Sequence, residues 1–132
     1  MFNRIAVVLR GHVRTWHQIK DYIFKDYSKI AKSVDYYFVT WDIPGLDETR
    51  IIDSFNGQNL VKFLKVSTEE HYNGARGPSW LAHSISKYFI DTSYDAVIEA
   101  RPDVIPFYNE KNDFTFNGCL HVIWESSTPY EN

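Results

Sequence analysis

The chain has 132 residues, a formal charge of −3, and is 44% hydrophobic and 23% charged, the balance of a folded protein with room for one core. The negative charge excludes a broad basic surface for nucleic acid, so any anion site has to be local. Cys119 is the only cysteine, which rules out an intrachain disulfide, leaves no Cys/His metal spacing, and fits a reducing compartment.

Aromatic residues make up 17% of the chain, and rings bury much area per residue in a small core. The amino-terminal apolar run is too short for a signal peptide or a membrane span, so a cytoplasmic protein is expected.

Arg4-Ile-Ala-Val-Val-Leu-Arg10 is a continuous apolar run between charges, the pattern of a strand buried on both faces. Gly11 breaks it. Trp16, Ile19, Ile23, Tyr27 and Ile30 then recur at spacings of three and four, predicting a helix over 15–32. Thr15 is its expected N-cap, with Gln18 in the capping-box position. Strand, glycine turn and helix together are how a phosphate-binding βα turn begins.

Residues 34–41 predict a second strand ending at Asp42, and Pro44-Gly45 a loop. A short helix is expected from about Glu48 to Phe55, closed by Asn56-Gly57, and a third strand over 59–66. Residues 67–77 are polar and without periodicity, the character of a binding loop or lid. Pro78 suits the first turn of a helix running to about Asp91. Residues 95–100 form the fourth predicted strand, and Arg101, Pro102 and Asp103 follow at its end. One or two further strands are expected at 114–116 and 119–124.

Strands alternating with helices predict a parallel sheet covered on both faces. The expected fold is a single α/β domain, a three-layer α/β/α Rossmann-like arrangement. In such a sheet the carboxyl ends of the strands emerge along one edge, where ligands bind. That edge gathers Arg10, Gly11, His12 and Arg14 after the first strand, Thr40, Trp41 and Asp42 at the end of the second, Ser67, Thr68, Glu69 and Glu70 after the third, and Arg101 with Asp103 after the fourth, a set of arginines and carboxylates that suits an anionic ligand with or without a divalent cation. Arginines there suit an anionic ligand, because the guanidinium fork makes paired hydrogen bonds to phosphate. His12 is the histidine best placed for chemistry. Charges also flank strands simply because water begins there, and Arg14 or Arg101 pairing with Asp42 or Asp103 is the competing reading.

Three blocks, Ile5–Trp16, Asp35–Asp42 and Tyr94–Asp103, resemble glycosyltransferase-like proteins of surface-polysaccharide loci, phages and large viruses. The resemblance implies a GT-A-like fold binding a nucleotide-sugar donor. It turns Arg10, Gly11, His12 and Arg14 toward the nucleotide, with Arg10 and Arg14 neutralising the diphosphate, sets Asp42 near the base or ribose, and counts Arg101 among the residues that bind the nucleotide-sugar. Asp103 falls where such proteins hold Mg2+ or Mn2+. The chain departs from the resemblance at Glu99, where an arginine is more usual, and the short stretch after Asp103 suggests a truncated or minimal member.

The implied activity is sugar transfer to an unknown glycan or protein acceptor, in the host cytoplasm if the source is viral. A homo-oligomer is compatible with this reading. Two alternatives stand beside it: a non-catalytic nucleotide-binding module, and a structural or interaction protein, of a virion for example, that reuses the fold.

Overall fold

The structure is a computed structural model that describes residues 1–68, 81, 84–85, 93–104 and 121–122. In chain order it contains β1 (Phe2–Arg10), α1 (Trp16–Ser28), β2 (Ala31–Asp42), α2 (Glu48–Asp53), β3 (Asn59–Ser67), β4 (Ala96–Ala100) and β5 (His121–Val122). The strands form one sheet ordered β3-β2-β1-β4-β5, and every pairing is parallel. This is an α/β fold, and the four strands expected from residues 4–10, 34–41, 60–66 and 95–100 are its first four.

β1 is the middle of the sheet. Its residues 5–10 are all buried, because β2 and β4 pair with its two edges and a hydrophobic cluster covers each face. Ile5, Val7 and Leu9 share one cluster with Trp16, Ile23 and Tyr27 of α1, and with Ile51 and Phe55 at α2. Ala6 and Val8 share the other with Tyr37, Val39, Trp41, Leu81 and Ile85. Leu81 and Ile85 are helical, in the stretch where the sequence predicts a helix.

Among the described residues most of the aromatic side chains lie in the first cluster. Trp16 lies 5.1 Å from Phe55 in a stacked pair and edge-on to Phe24 and Phe38 at 5.6 and 5.3 Å. Its indole N–H donates to the Ser54 hydroxyl at 2.9 Å, and that hydroxyl donates to the Ile51 carbonyl. Ring pairs of this kind add about 0.5–1.5 kcal/mol each beyond the area they bury. They fasten α1 and the end of α2 to the sheet. Tyr36 sits in the same cluster with its hydroxyl buried and unpartnered among the described residues, and burial pushes its phenol well above the usual value.

Two local expectations need correction. The helix predicted to run to Lys32 ends at Ser28. The amides of Lys29 and Ile30 donate to the carbonyls of Asp26 and Tyr27, tightening the last turn, and the Phe2 amide then takes the Ile30 carbonyl into the sheet at 2.8 Å. Ile30 keeps the helical period because its side chain still packs on the first cluster. Thr15 stands at the N-cap position but makes no side-chain cap bond. Its hydroxyl donates instead to the Asp103 carbonyl at 3.2 Å, while the Trp16 amide finds the Val13 carbonyl at 2.7 Å.

A polar network locks the amino end of the sheet. Asp35 of β2 is 3% exposed and accepts from Arg4 at 2.7 Å, Asn59 at 2.6 Å and Tyr94 at 2.8 Å. The Arg4 guanidinium also lies 4.6 Å over the Tyr94 ring, and the Asp95 carboxylate accepts from the backbone amides of Asn3 and Arg4. The network therefore ties β1, β2, the start of β3 and the lead into β4. Burial alone would raise the Asp35 carboxyl, but its hydrogen bonds from Asn59, Tyr94 and Arg4 outweigh that and hold it below the ordinary value.

The loop expected at 67–77 lies outside the described residues beyond Thr68. So do the helix expected at 78–91, apart from residues 81, 84 and 85, and the strand expected at 114–116.

Asp35→Asn should lower unfolding free energy by about 2–4 kcal/mol, because an amide turns N–H donors toward Arg4 or Asn59 inside a buried network. A depressed carboxyl stabilises the fold in full above its unfolded value and loses that contribution as pH falls through the folded one. Urea denaturation between pH 7 and pH 3 should accordingly show a shallower acid loss in the variant. Tyr36→Phe should instead raise stability by about 1 kcal/mol, by removing an unpartnered buried hydroxyl.

Candidate anion site at the carboxyl ends of β1 and β4

The chain builds β1, β2 and β3 outward to one side, then crosses back to lay β4 and β5 on the other. The order reverses between β1 and β4, and in open parallel sheets the crevice for ligands forms beyond the carboxyl ends of the strands at such a point. Leu9 pairs with Ala100, so the segments beginning at Arg10 and Arg101 leave the sheet side by side.

Backbone geometry at this exit is unusual. Gly11 has φ +131°, a conformation that disfavours side chains, and a Cβ there would meet Pro102 Cδ at 3.6 Å, an ordinary contact. Conformation rather than space requires the glycine. Its amide donates to the Val39 carbonyl at 3.1 Å, which holds the turn against β2. Arg14 has φ +37°, a left-handed value uncommon outside glycine and costly unless the surroundings impose it.

The Arg101 fork closes on Asp103, with Nε donating to Oδ1 and NH2 to Oδ2, both at 2.9 Å. Paired charge-assisted bonds of this kind fix direction as well as energy. Pro102 is buried between them, and its ring restrains the backbone that sets the two side chains in register. Arg14 approaches the same carboxylate from the β1 side, NH1 lying 3.7 Å from Oδ2. The Asp103 side chain is 6% exposed, whereas those of Arg101 and Arg14 are 33% and 61% exposed. A buried anion thus holds two cations at its rim. Among the described residues Arg14 makes no hydrogen bond, so its guanidinium donors face water.

The amino terminus of α1 adjoins this rim through the bond from Thr15 to the Asp103 carbonyl. It carries no acidic residue of its own in its first turn, although Asp47 acts on His17 there. His17, in that turn, is held below the ordinary imidazole value by burial, then by Arg50 and Lys20.

The expected residues are distributed unevenly. Gly11, Arg14, Arg101 and Asp103 converge. Arg10 ends β1 as foreseen, but its side chain is 1% exposed and by strand alternation shares the face of Ala6 and Val8. The accessible cations are therefore Arg14 and Arg101. His12 is exposed at the turn. Asp42 is exposed at the same sheet edge but acts on Lys65 of β3; among the described residues it forms no ion pair with Arg14 or Arg101. The contribution of Thr15 to the site was not foreseen, since its sequence signal is that of a helix cap. A separate open cleft of about 620 Å3 lies at the turn from α2 to β3, between Ile52 and Leu60, away from these residues.

The donor set that the described residues offer does not suit Mg2+ or Mn2+, which need several free oxygen ligands. Both oxygens of Asp103 are engaged by Arg101, a second guanidinium stands 3.7 Å away, and no group of three metal-ligating side chains occurs among the described residues.

The class defined so far is an α/β protein with a parallel sheet and an arginine-rimmed exit at its order reversal. No family model, curated protein or solved structure matches the chain. Among the described residues no helix is long and apolar enough to cross a membrane.

Gly11→Ala should lower unfolding free energy by about 1–3 kcal/mol through backbone strain, measured by urea denaturation. Gly45→Ala, at φ +83° in open space, should also destabilise, but without altering any ligand bound at the β1 exit.

Proposed function

We propose that the chain is the nucleotide-sugar-binding domain of a glycosyltransferase-like protein, with a three-layer α/β/α Rossmann-like architecture. The observation that carries this reading is the convergence of Gly11, Arg14 and Arg101 where the strand order reverses. The order β3-β2-β1-β4-β5 is that of the first five strands in doubly wound dinucleotide-binding sheets, and a cluster on each face of the sheet supports helices on both sides.

In this reading the diphosphate lies across the β1–α1 turn, taken by the guanidinium of Arg14 and the outer edge of Arg101. Sugar transfer breaks the bond from the anomeric carbon to the diphosphate oxygen as an acceptor hydroxyl attacks that carbon and gives up its proton. Negative charge grows on the departing diphosphate, and fixed cations there lower the barrier. The acceptor is a glycan or a protein. A second reading, a module that holds the nucleotide without transferring sugar, is favoured by one observation: the carboxylate nearest the arginines is fully engaged by them and is not free to act as a base.

A thermal-shift series of nucleoside-diphosphate sugars tests the binding. A ligand at a hundred times its Kd adds about 2.7 kcal/mol to stability, so one or more donors should raise the midpoint clearly. Arg14→Ala should weaken that ligand tenfold or more, since a charge-assisted hydrogen bond contributes about 1.5–3 kcal/mol. Equal binding by wild type and Arg14→Ala would remove the β1–α1 turn from the site.

A further inference from the structure

We propose that anion binding at this exit is independent of metal, and that Asp103 is a positioning residue which aims Arg101 and Arg14 at the ligand. The inference rests on the diphosphate-site reading above and specifies its chemistry.

Three features of the geometry lead to it. Asp103 is the most buried member of the cluster, at 6% side-chain exposure, so a ligand meets the arginines before it meets the acid. Its two oxygens hold Arg101 by a two-point fork, which fixes the plane of the guanidinium and leaves NH1 without a partner among the described residues. The same carboxylate draws Arg14 only to 3.7 Å, an ion pair without a hydrogen bond, from which an incoming phosphate oxygen can take the donors.

Charge balance agrees. Two guanidinium groups less one carboxylate leave a single net positive charge, next to the amino end of α1, which Thr15 ties to the Asp103 carbonyl. An oxyanion meets this directly. A divalent cation would have to displace the Arg101 fork to reach Asp103 and would then stand beside two positive groups, an arrangement that Coulomb repulsion opposes.

The backbone supplies the remaining constraint. Arg14 sits at φ +37°, and the Thr15 hydroxyl ties the next residue to the Asp103 carbonyl. The β1 exit and the β4 exit are thereby held as one unit, with one arginine on each.

Calorimetric titration of the full chain with pyrophosphate, in EDTA and then in excess Mn2+, tests the proposal. Binding in EDTA should be at least as tight as in Mn2+. Asp103→Asn should weaken pyrophosphate fivefold or more in EDTA, with the protein folded by circular dichroism at the assay temperature. That sign is diagnostic, because an acid that merely repelled the anion would give tighter binding when neutralised. Arg101→Lys, which keeps the charge and loses the fork, should weaken binding to a similar extent and covers the case in which Asp103→Asn fails to fold. Binding that disappears in EDTA and returns with Mn2+ overturns the inference while leaving the diphosphate site standing. Unchanged or tighter binding by Asp103→Asn overturns the positioning role. No binding by wild type under either condition removes the diphosphate reading, and the inference with it.

Discussion

Everything in this sheet is arranged around a strand with no side toward water. β1 is paired on both edges and covered on both faces, so its interior from Ile5 to Leu9 admits only apolar residues. Charge is displaced to its two ends. At the amino end Arg4 meets Asp35, Tyr94 and Ser93; at the carboxyl end the chain turns through Gly11 into Arg14. The two polar clusters are consequences of one constraint, and their difference in character follows from what surrounds them. At the amino end a buried acid receives donors from three residues and is satisfied internally. At the carboxyl end the acid is equally buried, but the cations around it remain partly in water. The first arrangement is closed and the second is open toward a ligand.

The elements that were legible in the sequence are those whose burial pattern is regular. Residues 4–10 read as a strand because two-sided burial leaves a continuous apolar run, residues 95–100 because a short apolar stretch alternates in burial before the charges begin, and the period of three and four in α1 marks a helix packed by one face. Boundaries were less legible, because a side chain can keep a helical period after the backbone has left the helix, as Ile30 does. Thr15 shows a related ambiguity. A hydroxyl before a helix looks the same in sequence whether it caps that helix or reaches a carbonyl 88 residues away.

The site was legible as a set of residue types but not as an arrangement. That Arg14 and Arg101 share an edge follows from parallel strands, whereas their common hold on Asp103 depends on which strands are adjacent. Once β4 is known to lie beside β1 the pairing follows, and Asp42, on the far side of β1, is excluded. The Asp35 network escaped notice for the opposite reason. An acid within Val34-Asp-Tyr-Tyr-Phe looks like the edge of a strand, and only the register, Ala6 with Asp35, brings it toward Arg4. A charge inside an apolar strand, with an opposite charge at the matching end of its neighbour, was the available signal.

The place of β4 beside β1 also governs the order in which the molecule can assemble. The fork between Arg101 and Asp103 joins residues two apart and closes almost without loss of chain entropy. The bonds from Asp95 to Asn3 and from Thr15 to Asp103 span 92 and 88 residues. Loop closure over such lengths has to precede the contacts that reward it, which makes folding slow. On the ribosome, β1 would wait with one edge unpaired until the chain beyond residue 95 has emerged. One edge of this apolar strand is thus open until late in synthesis, and the completed arginine cluster marks the end of that interval.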